Sequence, residues 1–383
     1  MVGEHQTMDD TMNLLLLDPF HTGSHAYWSN ELTTRLNARS RIKVNLLTLQ
    51  GRHWKWRMHG SAASFASTVE EISTLPDAIL TTDMMDVAAF RGLLPARWRG
   101  VPIIQYFHEN QLTFPWNKED PDFRNGQNRT YGFMNIQSAL AADTVWFNSA
   151  HHQKQFLDAV HRFLSEQPDH KLSTARELIE SRSAVMPIGV DFNTSLEPSE
   201  LASLKKEKTP VLLWNHRWEH DKAPDHFFSS LVELNQQNID FKLVLLGQQF
   251  DRMPQAWKDI HDTFKDQILH TGYTDSRHDY FNWLNSCDFL IHDPRQEYFG
   301  ISVLEAMQSG VVPLVSKGHA YDDWMPPAFF RDSSCRISEQ LVHFQADFKN
   351  YQNLAKQAAK TFKWGNVLPL YEEQLRTYVD GRN

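Results

Sequence analysis

Short apolar segments recur along the chain at intervals that leave room for a helix between them. Two sets are present: Asn13–Leu17, Lys43–Leu47, Ala78–Leu80, Ile103–Phe107 and Thr144–Phe147, then Val211–Trp214, Phe241–Leu246, Ile268–His270, Phe289–Ile291 and Val311–Val315. Apolar runs this short, bounded by polar or turn residues, are typical of strands buried on both faces of a parallel sheet. The pattern therefore predicts an α/β chain with two doubly wound domains.

The boundary between the two sets is predicted near residue 190. There Met186-Pro187-Ile188-Gly189-Val190-Asp191 leads into a polar, Lys/Glu-rich stretch that extends to Thr209. We therefore expect a first domain over residues 1–190 and a second over residues 191–360. In doubly wound sheets ligands bind beyond the carboxyl ends of the strands, so the strand-to-helix loops hold the candidate chemistry.

Composition and charge narrow the function classes. The 383 residues, 41% hydrophobic and 22% charged, are typical of a globular chain of about two domains. No apolar run approaches the roughly 20 residues of a membrane-spanning helix, and because the start Met1–Thr11 is polar we expect no signal peptide there. Cys287 and Cys335 are too few for a disulfide framework, so we expect reduced thiols and a cytoplasmic protein.

The net charge of −9 argues against nonspecific coating of nucleic acid. The charge is segregated, however, because residues 13–118 carry eleven Lys and Arg against eight Asp and Glu, a balance of +3. An anionic macromolecule would therefore be tolerated in the N-terminal part.

The loop after the predicted strand Phe289–Ile291 carries the most informative motif. It runs from His292 to Gly300 and leads into a predicted helix, Ile301–Ser309, which Gly310 ends in the left-handed C′ position. Gly300 lets a ligand approach the backbone, and an anion there would face the positive end of the helix dipole. The amides expected to be free for it are those of Phe299, Gly300 and Ile301.

Two glutamates flank this motif, Glu297 before the helix and Glu305 inside it. Since a carboxylate accepts hydrogen bonds in pairs, one can hold sugar hydroxyls and the other a ribose diol. The alternative is that Glu297 only caps the helix and Glu305 only lies in it.

A second loop, Asn215–Lys222, follows the predicted strand Val211–Trp214. Arg217 and Lys222 can straddle a diphosphate, the first as a fork and the second as a point charge. The alternative is a solvated face, or ion pairs with Glu219 or Asp221. Pro224 suits the first turn of the helix that follows.

Two N-terminal loops are weaker candidates. His21-Thr22-Gly23-Ser24-His25 lies between a strand and a helix and is similar to phosphate-cradling glycine loops, without the full dinucleotide fingerprint. Phe107-His108-Glu109-Asn110-Gln111 places an imidazole at another strand end, where His108 can orient a sugar ring or assist the reacting centre. A satisfied structural histidine is the alternative.

The octapeptide Arg52–His59 interleaves cations and aromatic rings. Charges for phosphates and rings for splayed bases are what binding of a single-stranded nucleic acid loop requires. The candidate acceptor-binding residues are Arg52, Trp54, Lys55, Trp56 and Arg57, and Arg91, Arg97 and Arg99 can extend them. A surface or packing role is the alternative.

Taken together, these segments resemble the retaining glycosyltransferases of the GT-B fold, and most closely the tRNA-queuosine α-mannosyltransferases. The likeness covers nearly the whole chain and rests on Phe20–His25, Tyr106–Leu112, His216–Lys222 and Glu297–Pro313. It implies two Rossmann-like domains with a cleft between them, and a last segment, residues 361–383, that returns to the N-terminal domain as a helix.

The resemblance implies transfer of mannose from GDP-mannose to queuosine in the tRNA anticodon, with retention at the anomeric carbon. By position, Arg217 and Lys222 hold the diphosphate, Glu305 binds the ribose, and Glu297 with the amides of Phe299, Gly300 and Ile301 holds the hexose and phosphate. His108 faces the donor sugar near the reaction, and Gly23 and Ser24 line the cleft. His108, Glu297, Arg217 and Lys222 are the expected catalytic residues.

No Asp-x-Asp triplet appears at a predicted strand end, so we expect no metal and no cofactor, with fixed protein cations stabilising the leaving group. Two other functions stay open: a hexosyltransferase of the same fold with a small-molecule, lipid or polysaccharide acceptor, and a non-catalytic RNA-binding module. The lack of a Lys-rich amphipathic helix argues mildly against a lipid acceptor, and we expect no membrane partner. The sequence alone ranks neither the donor nucleobase nor the hexose, and it does not indicate the oligomeric state.

Overall fold

The computed structural model describes residues 11–39, 41–191, 209–248, 253–274, 276–332 and 334–380. The start of the chain before Thr11, and most of the Lys/Glu-rich stretch after residue 191, lie outside the described residues. The chain divides into two compact units: unit 1 comprises Met1–Phe114, Glu119–Gly189 and Gly365–Asn383, and unit 2 comprises Pro115–Lys118 and Val190–Trp364. Among the helices of the described residues, none has the length and hydropathy to cross a membrane.

Unit 1 contains a sheet of six strands, all paired in parallel. The strands are β1 (Met12–His21), β2 (Ile42–Gln50), β3 (Ala78–Thr82), β4 (Ile103–Phe107), β5 (Thr144–Phe147) and β6 (Ser183–Val185). Their spatial order is β2-β1-β3-β4-β5-β6. Every residue of β3 and β4 is buried, including the polar Thr81, Thr82 and Gln105, as is typical of central strands in a parallel sheet.

The helices of unit 1 connect successive strands. They are α1 (Gly23–Arg39), α2 (Trp54–Glu70), α3 (Val87–Leu93), α4 (Pro121–Arg124), α5 (Asn128–Ala141), α6 (Ala150–Ser165) and α7 (Ala175–Glu180). The first turns of α3 and α6 are capped by Asp86 and Ser149, whose side chains accept hydrogen bonds from backbone amides inside the helices.

Unit 2 contains a second all-parallel sheet, of five strands. Its elements are β7 (Val211–Trp214), α8 (Pro224–Gln236), β8 (Lys242–Leu245), α9 (Gln255–Thr263), β9 (Ile268–Thr271), α10 (Arg277–Ser286), β10 (Phe289–His292), α11 (Ile301–Gln308), β11 (Val312–Val315), α12 (Ile337–Ala346) and α13 (Phe348–Lys360). The spatial order is β11-β10-β7-β8-β9. The predicted pair of doubly wound parallel sheets is confirmed, and Pro224 and Gly310 occupy the expected helix start and left-handed position.

The last helix, α14 (Trp364–Asp380), lies almost wholly within unit 1. Tyr371 on this helix is fully buried, and its hydroxyl accepts a hydrogen bond from Trp28 Nε1 at 3.0 Å and donates to the Pro187 carbonyl at 3.1 Å. The buried aromatic contact between Trp28 and Tyr106 adds to the same core, with ring centroids 4.4 Å apart.

The strands β2 and β3 extend up to three residues past their predicted ends, and two other differences from the sequence-based prediction are larger. β1 extends past Leu17 to His21, with a register shift against β2 between Asp18 and His21. The predicted glycine loop is therefore a tight junction, because the strand ends at His21 and α1 begins at Gly23. The short strand β6 was not predicted, since its residues are only partly buried and carry no apolar run.

Candidate active site

The loops after β7 and β10 meet in unit 2 at a buried ion pair. Lys222 Nζ lies 2.8 Å from Glu297 Oε2 and 3.3 Å from Asp221 Oδ2, and the Lys222 and Glu297 side chains are 15% and 10% exposed. The backbone ties the same loops together, because the Arg295 amide donates to the Asp221 carbonyl at 2.8 Å. Two residues predicted to bind the donor, 75 positions apart in sequence, are thus brought into contact.

Burial and pairing act in opposite directions on this pair. Burial favours the neutral form of Glu297, but Lys222 and His292 outweigh it and hold the pKa of Glu297 well below its ordinary value. Burial likewise works to lower the pKa of Lys222, while Glu297 and Asp221 raise it to about 12. Both groups are therefore charged at neutral pH.

The start of α11 lies directly beside this pair. Gly300 is the N-cap residue with φ +96°, a left-handed conformation that favours glycine. The Phe299 amide donates to Glu297 Oε1 at 3.3 Å, so the expectation that this amide is free was wrong. The Glu297 carboxylate satisfies it from two residues earlier, but Phe299 precedes the N-cap residue Gly300, so this hydrogen bond does not cap α11. The amides of Gly300 and Ile301 make no hydrogen bond to any described residue and leave the positive end of α11 available.

Glu305 lies on α11, and its side chain is buried in the fold rather than exposed to solvent. Its carboxylate accepts hydrogen bonds from Arg277 Nη2 and the Tyr280 hydroxyl, both at 2.9 Å. Burial and the neighbouring Glu305 raise the pKa of Tyr280 well above its ordinary value, so this hydroxyl stays protonated and donates. Neither Arg277 nor Tyr280 was predicted, because both lie on α10, in a segment that carries no motif.

Two stacked imidazoles lie next to the Lys222–Glu297 ion pair. The rings of His216 and His292 are 3.7 Å apart at 18°, and both side chains are buried. His216 Nδ1 hydrogen-bonds Ser302 Oγ at 2.9 Å, and His292 Nε2 lies 3.8 Å from Glu297 Oε2. Burial lowers the pKa of both rings and so favours their neutral form, although Glu297 acts in the opposite direction on each. Their positions directly after β7 and in the last residue of β10 were a signal that the sequence analysis did not use.

Arg217 is the most exposed of the predicted donor-binding cations. Its side chain is 50% exposed and lies 3.2 Å from Glu219, which is one of the ion pairs considered as an alternative. The positive charge of Arg217 acts to lower the pKa of Lys222, because the two cations repel each other within one loop. A half-exposed guanidinium can reorient toward an arriving diphosphate at small cost.

In unit 1, His108 is buried in an aromatic cluster after β4. Its ring centroid lies 4.3 Å from that of His25 and 4.8 Å from that of Trp28. Its backbone is fixed by Asp83 and Asn148, yet neither ring nitrogen has a hydrogen-bond partner among the described residues. Burial, together with His25, holds the pKa of His108 well below its ordinary value. The ring is a fixed, neutral imidazole rather than one satisfied by the fold.

A second fixed imidazole, His21, ends β1 just before Gly23 and Ser24, which form the first turn of α1. Asp18 is fully buried, and its Oδ2 lies 2.7 Å from His21 Nδ1 and 2.8 Å from Ser29 Oγ. Burial works to raise the pKa of Asp18, but His21, His25 and Ser29 lower it below its ordinary value. The ionised Asp18 therefore orients the ring.

The predicted acceptor segment lies at the start of α2. Trp56 is 64% exposed, and Arg52 is also exposed. Lys55 is held by two carboxylates, Asp120 at 2.7 Å and Asp122 at 2.8 Å, and is therefore poorly placed to pair with a phosphate.

The remaining basic and aromatic residues of this region are held by the fold to different degrees. Trp54 packs against Tyr131, Arg57 Nε donates to the Gln50 carbonyl, and Arg97 donates to the carbonyls of Glu70 and Ile72. Arg91 pairs with Asp143, whereas Arg99 is exposed. In the described part of the chain no group of three or more His, Cys, Asp or Glu side chains could hold a metal ion.

Two family models match successive parts of the chain. Residues 13–190 match the family model described as tRNA-queuosine alpha-mannosyltransferase N-terminal, and residues 198–325 match glycosyl transferases group 1. The tRNA-queuosine alpha-mannosyltransferase of Drosophila melanogaster is 30% identical over 337 residues, covering 87% of this chain and 86% of the relative.

Among solved structures, sucrose-phosphate synthase of Thermosynechococcus elongatus has a TM-score of 0.70 at 13% identity, covering 97% of this chain and 100% of its own. Anabaena Alr3699/HepE in complex with UDP and glucose has a TM-score of 0.66 at 15% identity, covering 96% and 100%. At these identities the likenesses show the fold alone, and they confirm the GT-B prediction of two Rossmann-like domains.

Proposed function

The chain belongs to the tRNA-queuosine alpha-mannosyltransferase family, and we propose that it transfers mannose from GDP-mannose to queuosine in the anticodon of tRNA with retention at the anomeric carbon. The observation that carries the donor half is the meeting of Lys222, Glu297 and the start of α11 in unit 2. Family membership carries the acceptor half.

Charge development decides how these groups act. As the bond between the anomeric carbon and the diphosphate oxygen breaks, negative charge grows on the diphosphate. Lys222, Arg217 and the amides of Gly300 and Ile301 supply positive charge and hydrogen-bond donors for it. Because Lys222 is already held by Glu297, its ammonium is positioned before the donor binds.

The proton is assigned to the leaving group. The acceptor hydroxyl oxygen bonds to the anomeric carbon on the face from which the diphosphate departs, and the hydroxyl proton passes to the diphosphate. The carboxylate of Glu297 is committed to Lys222 and to the Phe299 amide, which argues against its acting as a covalent nucleophile. A trapped mannosyl–enzyme adduct would contradict this assignment.

The proposed role of Lys222 and Arg217 predicts that the reaction needs no divalent metal. With Lys222 and Arg217 on the diphosphate, we expect turnover to survive treatment with EDTA. Loss of turnover that returns only when a divalent metal is added would contradict the assignment.

For the acceptor, we propose that Arg52, Trp56 and Arg57 contact the tRNA anticodon region through phosphates and a stacked base. Replacing Arg52 and Arg57 together by Ala should weaken tRNA binding and reduce its salt slope by about two, since each phosphate contact contributes about one. Lys55→Met is the matched control, because its charge is already neutralised by Asp120 and Asp122 and the salt slope should stay unchanged. An unchanged salt slope in the double variant would show that tRNA contacts a different surface.

The proposed reaction is tested by incubating the protein with queuosine-containing tRNA and a panel of GDP- and UDP-linked sugars. The tRNA is then digested to nucleosides for mass analysis. We expect one hexose on queuosine with GDP-mannose. Hexose addition from a different sugar nucleotide would correct the donor, and addition to a non-RNA acceptor alone would refute the acceptor.

A further inference from the structure

Tyr321 lies in the loop after β11, within a short 3₁₀ turn, Ala320–Asp323. The Ala320 amide donates to the Glu297 carbonyl at 3.1 Å, which ties this loop to the one after β10. Since β10 and β11 are parallel neighbours, both loops leave the sheet at its carboxyl edge, where such sheets bind ligands. Tyr321 therefore belongs to the same edge as the Lys222–Glu297 pair.

The Tyr321 hydroxyl is buried without a partner. The side chain is fully buried, and within the described residues the hydroxyl makes no hydrogen bond. The ring has edge contacts with His292 and Trp324, at centroid distances of 6.1 and 5.7 Å. Most buried polar groups in native proteins are hydrogen-bonded, so this hydroxyl is available to a partner that arrives from outside.

The ring lies directly against the start of α11. A Cβ built on Gly300 would be 2.7 Å from Tyr321 Cε1 and 3.4 Å from the Tyr321 hydroxyl oxygen. The hydroxyl is thus close to the backbone that presents the Gly300 and Ile301 amides. Burial and the nearby Glu297 raise the pKa of Tyr321 well above its ordinary value, so the hydroxyl keeps its proton and is able to donate it in a hydrogen bond.

We propose that the Tyr321 hydroxyl donates a hydrogen bond to an oxygen at the sugar–phosphate end of the nucleotide-sugar donor, beside the amides of Gly300 and Ile301. This inference rests on the proposed function, because it requires a sugar nucleotide as the donor. It adds a donor-binding residue that no motif in the sequence indicates.

Tyr321→Phe removes the hydroxyl and little else. By titration calorimetry the variant should bind GDP-mannose about 10- to 100-fold more weakly than wild type, the range expected for a hydrogen bond to a charged or strongly polar group. Affinity for GMP, which lacks the sugar–phosphate end, should be unchanged. The melting temperature should stay the same or rise, because the variant loses an unpaired buried hydroxyl.

Tyr371→Phe is the matched control, since the Tyr371 hydroxyl is equally buried but is bonded to Trp28 and Pro187. It should lower the melting temperature and leave GDP-mannose affinity unchanged. The inference is overturned if Tyr321→Phe binds GDP-mannose as wild type does, or if it loses thermal stability as Tyr371→Phe does.

Failure of the proposed function gives a different signature in the same titrations. If wild type binds another sugar nucleotide in place of GDP-mannose, the donor assignment is wrong and the Tyr321→Phe ratio is measured with that donor. If wild type binds no sugar nucleotide, both the proposed function and this inference are refuted.

Discussion

Replacing Lys222 by Met tests whether the ion pair both stabilises unit 2 and binds the donor. The variant leaves the Glu297 carboxylate, whose side chain is 10% exposed, without the ammonium that lies 2.8 Å away. Pairing raises the pKa of Lys222 to about 12 from 10.5, which corresponds to about 2 kcal/mol after the cost of burial. Since the variant also strands Glu297, we expect a loss of about 3–5 kcal/mol in the free energy of unfolding.

A second replacement separates stability from binding. In the double variant Lys222→Met, Glu297→Gln the stranded Glu297 charge is gone, so part of the lost stability should return, while the buried Asp221 carboxylate still lacks its ammonium. Affinity for GDP-mannose should stay low in both variants, because each lacks the cation that we propose faces the diphosphate. Urea unfolding followed by tryptophan fluorescence measures the first quantity, and titration calorimetry with GDP-mannose measures the second.

The control is Lys154→Met, which removes an exposed partner of Asp158 and should cost at most about 1 kcal/mol. The reasoning fails if Lys222→Met costs no more than this control. It fails equally if the double variant recovers donor affinity along with stability.

Three further predictions concern charge, hydrogen bonding and backbone conformation. Burial lowers the folded-state pKa of four histidines. The unfolded chain therefore binds protons that the folded chain does not, and the urea midpoint of unfolding should fall as the pH drops below about 6.5. Unchanged midpoints down to pH 5 would contradict this. These histidines are His108, His152, His216 and His292. Asp18→Asn should cost about 3 kcal/mol in urea unfolding, because an amide cannot replace the buried carboxylate that pairs with His21 and Ser29; a cost under about 1 kcal/mol would show that the pair is weak. Gly300→Ala should destabilise the protein more than Gly318→Ala. Both glycines have positive φ, but only a Cβ at Gly300 would clash with the Tyr321 ring. Equal urea midpoints for the two variants would show that the ring moves aside.

The sequence was sufficient to predict most of the fold because the buried strands are continuous apolar runs. Ile103–Phe107, Thr144–Phe147 and Val211–Trp214 have the predicted bounds. The exceptions have local causes: β6 is a partly buried edge strand without an apolar pattern, and β1 continues through polar Asp18 because this carboxylate is paired inside the fold.

The candidate site was predicted less completely. Motif spacing pointed to Lys222, Glu297 and Gly300, and these residues lie at one edge of the second sheet. Motif spacing carries no information about pairing across the fold, so the Lys222–Glu297 contact and the carboxylates that hold Lys55 were beyond its reach. Tyr321 has no sequence signal, because its importance comes from an unpaired hydroxyl that only the packed structure reveals.

The most direct test compares two tRNAs that differ only in whether the anticodon carries queuosine or guanosine. Each is incubated with the protein and GDP-mannose, and its nucleosides are analysed by mass. The account predicts that queuosine gains one hexose while the guanosine-containing tRNA gains none. A hexose on both tRNAs, or on neither while GDP-mannose is bound, would contradict it.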